Sequence, residues 1–160
     1  QGVSSAASDV YKRQEMNISI VRLFSVFGNG LKKQLLWDAY KKIRTSINEV
    51  IFWGTGNETR DFIHIDDVLS LFDILINKKE KFILINGGTG SRSTVRSIIE
   101  MIRDTVDVNI KISFDNHVNH GNPSYYCAST YKLETYGYQA KKNLKKELNN
   151  YIEWVKRVDD

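Results

Sequence analysis

Val50-Ile-Phe-Trp-Gly-Thr-Gly-Asn-Glu-Thr-Arg-Asp-Phe-Ile-His-Ile-Asp-Asp-Val68 changes character three times in a short span. Val50 to Trp53 is apolar and reads as a short strand, ended by the turn residues Gly54 to Asn57. Asp61 to Ile65 is a second, mostly apolar run. Asp66 then stands where a helix N-cap is expected, ahead of Val68, Leu71, Phe72, Leu75 and Ile76 at helical spacing. Strand, turn, strand and helix in this order predict a layered α/β unit.

The pattern continues in both directions. Upstream, Asn17 to Phe24 is β-branched and mostly apolar, as expected of a strand covered on both faces. A loop with two glycines, Ser25 to Gly30, follows it. Lys33 to Ile43 then places apolar residues at 35, 36, 39, 40 and 43, which is helical spacing. Downstream, Phe82 to Ile85 reads as a buried strand leading into Asn86-Gly-Gly-Thr-Gly-Ser-Arg-Ser93. Ser93 or Thr94 can cap a helix whose stripe is Val95, Ile98, Ile99 and Ile102. Asn109 to Phe114 alternates with period two, as a half-buried strand does. A polar segment from Asp115 to Ser124 holds the single proline, Pro123. A last helix spans about Leu144 to Val158, with Leu144, Leu148, Tyr151, Ile152 and Val155 on one face. The expectation from this pattern is a layered α/β architecture, the tail of a larger doubly wound domain.

Composition narrows the function. The 160 residues are 41% hydrophobic and 26% charged, enough apolar material for a packed core. No apolar run approaches the ~20 residues of a membrane span, and the N-terminus lacks a signal-peptide pattern. A single cysteine, Cys127, excludes an internal disulfide and a cysteine zinc cage, and the expected compartment is a reducing cytoplasm. The net charge of +4 is spread along the chain. Its densest cluster, Lys141, Lys142, Lys145 and Lys146, alternates with Leu144 and Leu148 as on the wet face of a helix, so nucleic acid is not an expected partner. His117 and His120, with His64 and Asp66, make a poor metal set, and none is expected. Asn17 and Asn57 begin chance glycosylation sequons, and Gly87 to Ser93 lacks the Gly-Lys-Ser/Thr ending of a phosphate loop.

Four blocks, in order, resemble the extended short-chain dehydrogenase/reductase family, the NAD-dependent nucleotide-sugar epimerases and dehydratases of which UDP-glucose 4-epimerases are an example. They are Arg22-Leu-Phe-Ser-Val-Phe-Gly28-Asn-Gly30; Phe52-Trp-Gly-Thr-Gly56 with Thr59-Arg-Asp-Phe-Ile-His-Ile-Asp-Asp-Val68; Ile85-Asn-Gly-Gly-Thr-Gly90; and Gly121-Asn-Pro123, Ala128-Ser129, Lys132-Leu133 and Gly137-Tyr138 with the terminal Leu148 to Trp154 helix. The Arg-Asp-aromatic block is the most specific. Gly30 to Asp38 further resembles members from bacterial surface-polysaccharide pathways.

The resemblance implies the C-terminal part of a doubly wound, Rossmann-like parallel sheet plus a small α/β substrate-binding lobe, a nucleotide-sugar ligand (UDP-, dTDP-, CDP- or GDP-linked) and NAD as cofactor. It implies that Arg60 holds the diphosphate through its planar fork, against the plainer role of an ion pair with Asp61 or Asp66. Ser25 stands where the family has an asparagine that donates to phosphate. Asn119 stands where a second arginine is usual; its amide can hydrogen-bond but brings no charge, and His120 or a lysine is the substitute. Ile51 and Trp53 lie on the strand flanking the nucleotide base, with core packing the alternative for Trp53. Gln34 and Trp37 lie where loop and helix close over the nucleotide, and Phe24 and Ser25 abut the nicotinamide side of the cleft.

The family's glycine-rich cofactor turn and catalytic Tyr-x-x-x-Lys precede the strand carrying Arg22, and the residues before Arg22 contain neither. The one Tyr-x-x-x-Lys, Tyr138 to Lys142, falls downstream and is a coincidence of spacing. Residues 1–14, unlike the rest in texture, read as a foreign or disordered leader, such as translated vector sequence, and 15–160 as the C-terminal part of the enzyme. The expectation is a truncated epimerase or dehydratase, isomerase or lyase, that keeps the substrate-binding half. Its parent would be a cytoplasmic homodimer. A non-catalytic nucleotide-sugar-binding or scaffolding module is the alternative.

Overall fold

The computed structural model describes residues 17–117, 121 and 123–159. Among these residues eight strands and five helices follow one another: β1 (Ile18–Leu23), β2 (Ser25–Phe27), α1 (Gln34–Arg44), β3 (Glu49–Phe52), β4 (Thr59–Arg60), β5 (Phe62–His64), α2 (Ile65–Ile76), β6 (Phe82–Gly87), β7 (Ser93–Thr94), α3 (Val95–Val106), β8 (Lys111–Phe114), α4 (Tyr131–Thr135) and α5 (Leu144–Asp159). The α/β architecture read from the sequence is present.

Three pairs are parallel: β1 with β6, β2 with β5 and β3 with β8. The fourth, β4 with β7, is antiparallel. β1 and β2 form one track that changes neighbour at Phe24. Phe24 N–H still donates to Gly87 O at 3.1 Å, whereas Ser25 N–H donates to Asp61 O at 2.9 Å. The chain thus leaves β6 and joins β5, and a cleft opens where strands part in this way.

Two details differ from the sequence reading. β1 is not covered on both faces: Arg22 and Leu23 are exposed and Ile18, Ile20 and Val21 only half-buried. Its β-branched residues satisfy strand propensity, but among the described residues only β6 pairs with it. The second concerns α2. Its N-cap is His64, whose Nδ1 accepts from Asp66 N–H at 3.2 Å, so Asp66 sits in the first turn instead of capping it. There the carboxylate favours the positive end of the helix dipole. Thr94 caps α3 as expected, accepting from Ser97 N–H at 3.1 Å.

The main core lies between α1, α3, α5 and the β3–β8 pair, where Ile43, Ile98, Ile99, Ile102, Tyr151, Ile152 and Val155 are buried. A smaller cluster, with Leu71, Leu75, Ile83, Ile85, Leu133 and Tyr138, joins α2, β6 and α4. No helix among the described residues is long and apolar enough to cross a membrane.

Candidate functional site

A cleft of about 350 Å³ opens beside β2 and β4, and its wall includes Ser25, Gln34, Trp53, Glu58, Arg60 and His117. Four of the residues expected at the site, Ser25, Gln34, Trp53 and Arg60, therefore share one wall.

Arg60 is the best-defined member. Because neighbouring strand residues face opposite ways, Arg60 points toward the cleft while Asp61 turns into the protein. Its Nη1 donates to Thr59 O at 2.8 Å and to Pro123 O at 3.0 Å. No ion pair with Asp61 or Asp66 forms, and Nε and Nη2 have no partner among the described residues. The two carbonyls fix the fork's plane and leave donors for an anion.

Asp61 is fully buried and serves as the bolt behind Arg60. Its carboxylate accepts from Thr89 N–H (2.9 Å), Thr89 Oγ1 (2.6 Å), Gly90 N–H (2.9 Å) and Ala128 N–H (3.1 Å). These bonds tie the loop after β6 and the 127–128 segment to the strand carrying Arg60. Gly88 is required here, since a Cβ would come within 2.5 Å of the Ala128 Cβ and 2.7 Å of Asp61 Oδ2. Sequence reasoning considered Asp61 only as a partner for Arg60. Its position next to an outward arginine on a strand was the available signal.

The turn after β3 is held from two sides. Glu58 Oε1 accepts from Thr55 N–H and Thr55 Oγ1, both at 3.0 Å. Partial burial would raise the Glu58 pKa, but donation from Thr55 and from the Gly56 and Glu58 N–H groups outweighs it, so the carboxyl lies below its ordinary range. The start of α3 closes the other side, Val95 N–H donating to Glu58 O at 2.8 Å and Arg96 N–H to Gly56 O at 2.9 Å. Gly56 has φ of 80°, and a Cβ there would lie 2.7 Å from the Phe114 ring, so only glycine fits.

This turn presents Trp53, whose side chain is 57% exposed, so it is not a core residue. Its ring stacks on His117 with centroids 4.9 Å apart and planes 20° apart. His117 drew attention in the sequence only as a metal ligand; no group of three His, Cys, Asp or Glu among the described residues could hold a metal.

The remaining expected residues are scattered. Gln34 begins α1 with φ of 69°, a left-handed conformation that a residue with a Cβ adopts at a cost. It also lines a second hollow with Phe24 and Gly28, next to the main cleft. Ile51 is outside the cleft wall, exposed on β3, with its carbonyl accepting from Lys42 Nζ at 3.0 Å. Trp37 packs near Trp154, at 6.4 Å between rings, and is also outside the wall. Asn119 and His120, like residues 1–14, lie outside the described residues.

Tyr138 and Lys142 are spent on structure. Tyr138 is buried and donates its hydroxyl to Asp67 O at 2.9 Å; burial, with the nearby Asp67 charge, pushes its pKa up to about 12. Lys142 pairs with Asp66 at 2.6 Å.

The comparisons with known proteins agree with this architecture. The chain is 29% identical over 106 residues to GDP-L-fucose synthase 1 of Arabidopsis thaliana, which covers 66% of this chain and 32% of that protein. It is 28% identical over 138 residues to the ADP-L-glycero-D-manno-heptose-6-epimerase of Brachyspira hyodysenteriae, covering 81% and 43%. Among solved structures, the UDP-glucuronic acid 4-epimerase of Bacillus cereus superposes with a TM-score of 0.83 at 23% identity, covering 97% of this chain and 50% of that one. The UDP-glucose 4-epimerase of Thermotoga maritima gives 0.82 at 17% identity, covering 99% and 54%. The chain thus spans about half the length of these solved relatives and less than half of the curated ones. A family model matches residues 3–88, more than half of the chain. With that match, the chain belongs to the NAD dependent epimerase/dehydratase family.

Proposed function

We propose that residues 15–160 supply the nucleotide-sugar-binding half of an NAD-dependent epimerase or dehydratase. The observation that carries this reading is Arg60, pinned by two carbonyls at the wall of the cleft with the rest of its fork open. Arg60 would take the diphosphate, Ser25 Oγ would add a donor on the same side, and Trp53 would offer an aromatic surface to the base. Gln34, on the wall of both hollows, would stand between the nucleotide and the cofactor side. Ile51 and Asn119 are assigned to the substrate by family position alone.

NAD, when bound, supplies hydride acceptance. The described residues fit only one edge of it: the Phe24–Ser25 step at the switch between β6 and β5, beside the hollow lined by Gly28. Tyr138 is buried with its hydroxyl committed to Asp67 O, so it is not placed to serve as the proton-abstracting base. This spent tyrosine also favours the second reading, a nucleotide-sugar-binding or scaffolding module without hydride chemistry of its own. A cytoplasmic homodimer serving surface-polysaccharide synthesis is the parent context that the family resemblance supports.

Calorimetric titration with UDP-, dTDP-, CDP- and GDP-sugars tests the site. One of them binds, and Arg60→Ala weakens it by about 10- to 100-fold, the worth of a charged hydrogen-bonding group. Unchanged affinity in Arg60→Ala, or a folded chain that binds none of them, overturns the assignment. Hydride transfer to NAD by the chain alone would overturn the half-site reading.

A further inference from the structure

The Trp53–His117 stack is assembled by main-chain bonds between two loops. Asp115 N–H donates to Phe52 O at 3.0 Å and Asn116 N–H to Gly54 O at 2.9 Å. Asp115 Oδ1 accepts from the N–H groups of Gly54 and His117, both at 2.9 Å. Asn116, at φ of 60°, turns the chain back so that His117 returns to the indole; asparagine tolerates this conformation better than most residues. With centroids 4.9 Å apart the rings touch, and no third ring fits between them. The imidazole is exposed and has no hydrogen-bond partner among the described residues. Stacking on Trp53 is therefore what holds it in place.

We propose that His117 is an internal stand-in for the nucleobase, covering the Trp53 face that a bound base takes only by displacing it. The proposal rests on the nucleotide-sugar reading and adds a control on affinity. Displacement is inexpensive, because an exposed ring with one contact swings out at the cost of that contact alone. Glu58 and Arg60 share the cleft wall with His117, so a base that displaces the imidazole stays beside the diphosphate-binding fork.

The test titrates uridine diphosphate and guanosine diphosphate into the full chain, His117→Ala and His117→Phe. His117→Ala binds about three- to tenfold tighter than wild type, the range an aromatic pair supports. His117→Phe, which keeps an aromatic ring on the indole, binds more weakly than His117→Ala. Weaker binding in His117→Ala would make the ring a ligand contact and overturn the proposal, as would unchanged binding. Affinity that depends on Arg60 but ignores residue 117 overturns this proposal alone. No binding by any variant overturns the nucleotide reading and this one with it.

Discussion

The two hydrophobic clusters of the molecule are built to different standards of closure. Under the cleft, α1, α3, α5 and β3–β8 enclose Ile98, Ile99, Ile102, Tyr151, Ile152 and Val155 from all sides. Around β1, β6 and α2 the inner residues Leu71, Ile83 and Ile85 are as well buried, but Phe72, Ile76, Phe82 and Leu84 on the outer side are not. β6 shows it residue by residue, with Phe82 and Leu84 out and Ile83 and Ile85 in. A binding wall requires a stiff floor, and the lobe beneath Arg60 and Trp53 has one. The β1–β6 layer is a layer with one side finished.

The largest effect is expected where the two regions are fastened together. Asp61→Ala strands the Ala128 N–H in the interior and removes the acceptor of the half-buried Thr89 and exposed Gly90 N–H groups. At roughly 1–3 kcal/mol for the buried unsatisfied group and about 1 kcal/mol for each of the other two bonds, about 3–5 kcal/mol is lost. Urea denaturation checks it; a loss below about 1 kcal/mol would mean the regions do not depend on this carboxylate.

A smaller effect separates the clusters directly. Ile99→Ala, in the enclosed core, costs about 2–5 kcal/mol by cavity formation. Ile76→Ser, on the open layer, changes stability by less than about 0.5 kcal/mol and raises solubility. Equal costs in paired denaturation curves would erase the distinction.

The smallest effect concerns the loop joining β8 to the cleft. Donation from His117 N–H outweighs the opposing desolvation and, with donation from Gly54 N–H and the His117 and Lys42 charges, holds the exposed Asp115 carboxyl below its ordinary 3.8. A depressed pKa means the ionised form is preferred when folded, so its contribution is complete above that ordinary value and disappears as pH falls through the folded one. Trp53 fluorescence, followed in a Trp37→Phe/Trp154→Phe background against Asp115→Asn, reads the change. A signal flat to pH about 2 would exclude the carboxylate from holding the loop.

Much of this was legible in the chain. Helices with a clear stripe, such as Val95, Ile98, Ile99 and Ile102, declare themselves because one side must be buried. Arg60, Ser25, Gln34 and Trp53 were legible as a group through the family resemblance that their motifs carry. What escaped notice depends on contacts remote in sequence. The short helix α4 has one buried residue, Leu133, and too little length for a period. Asp61 works through Thr89 and Ala128, and His117 through Trp53; no local pattern announces either pairing. The burial expected of β1 failed for a related reason, since β-branched residues report what a strand could pack against and not what packs against it.

The free side of β1 has a practical consequence. With β6 as its single ladder neighbour among the described residues, β1 shows a row of unbonded amides and carbonyls beside Leu23 and the outer faces of Phe82 and Leu84. Such an edge is a template for any strand that arrives, including one from another copy. Sheet-to-sheet growth at high concentration is therefore expected to start at β1. A charged residue in place of Ser19 is expected to keep preparations clear at the concentrations that calorimetry needs.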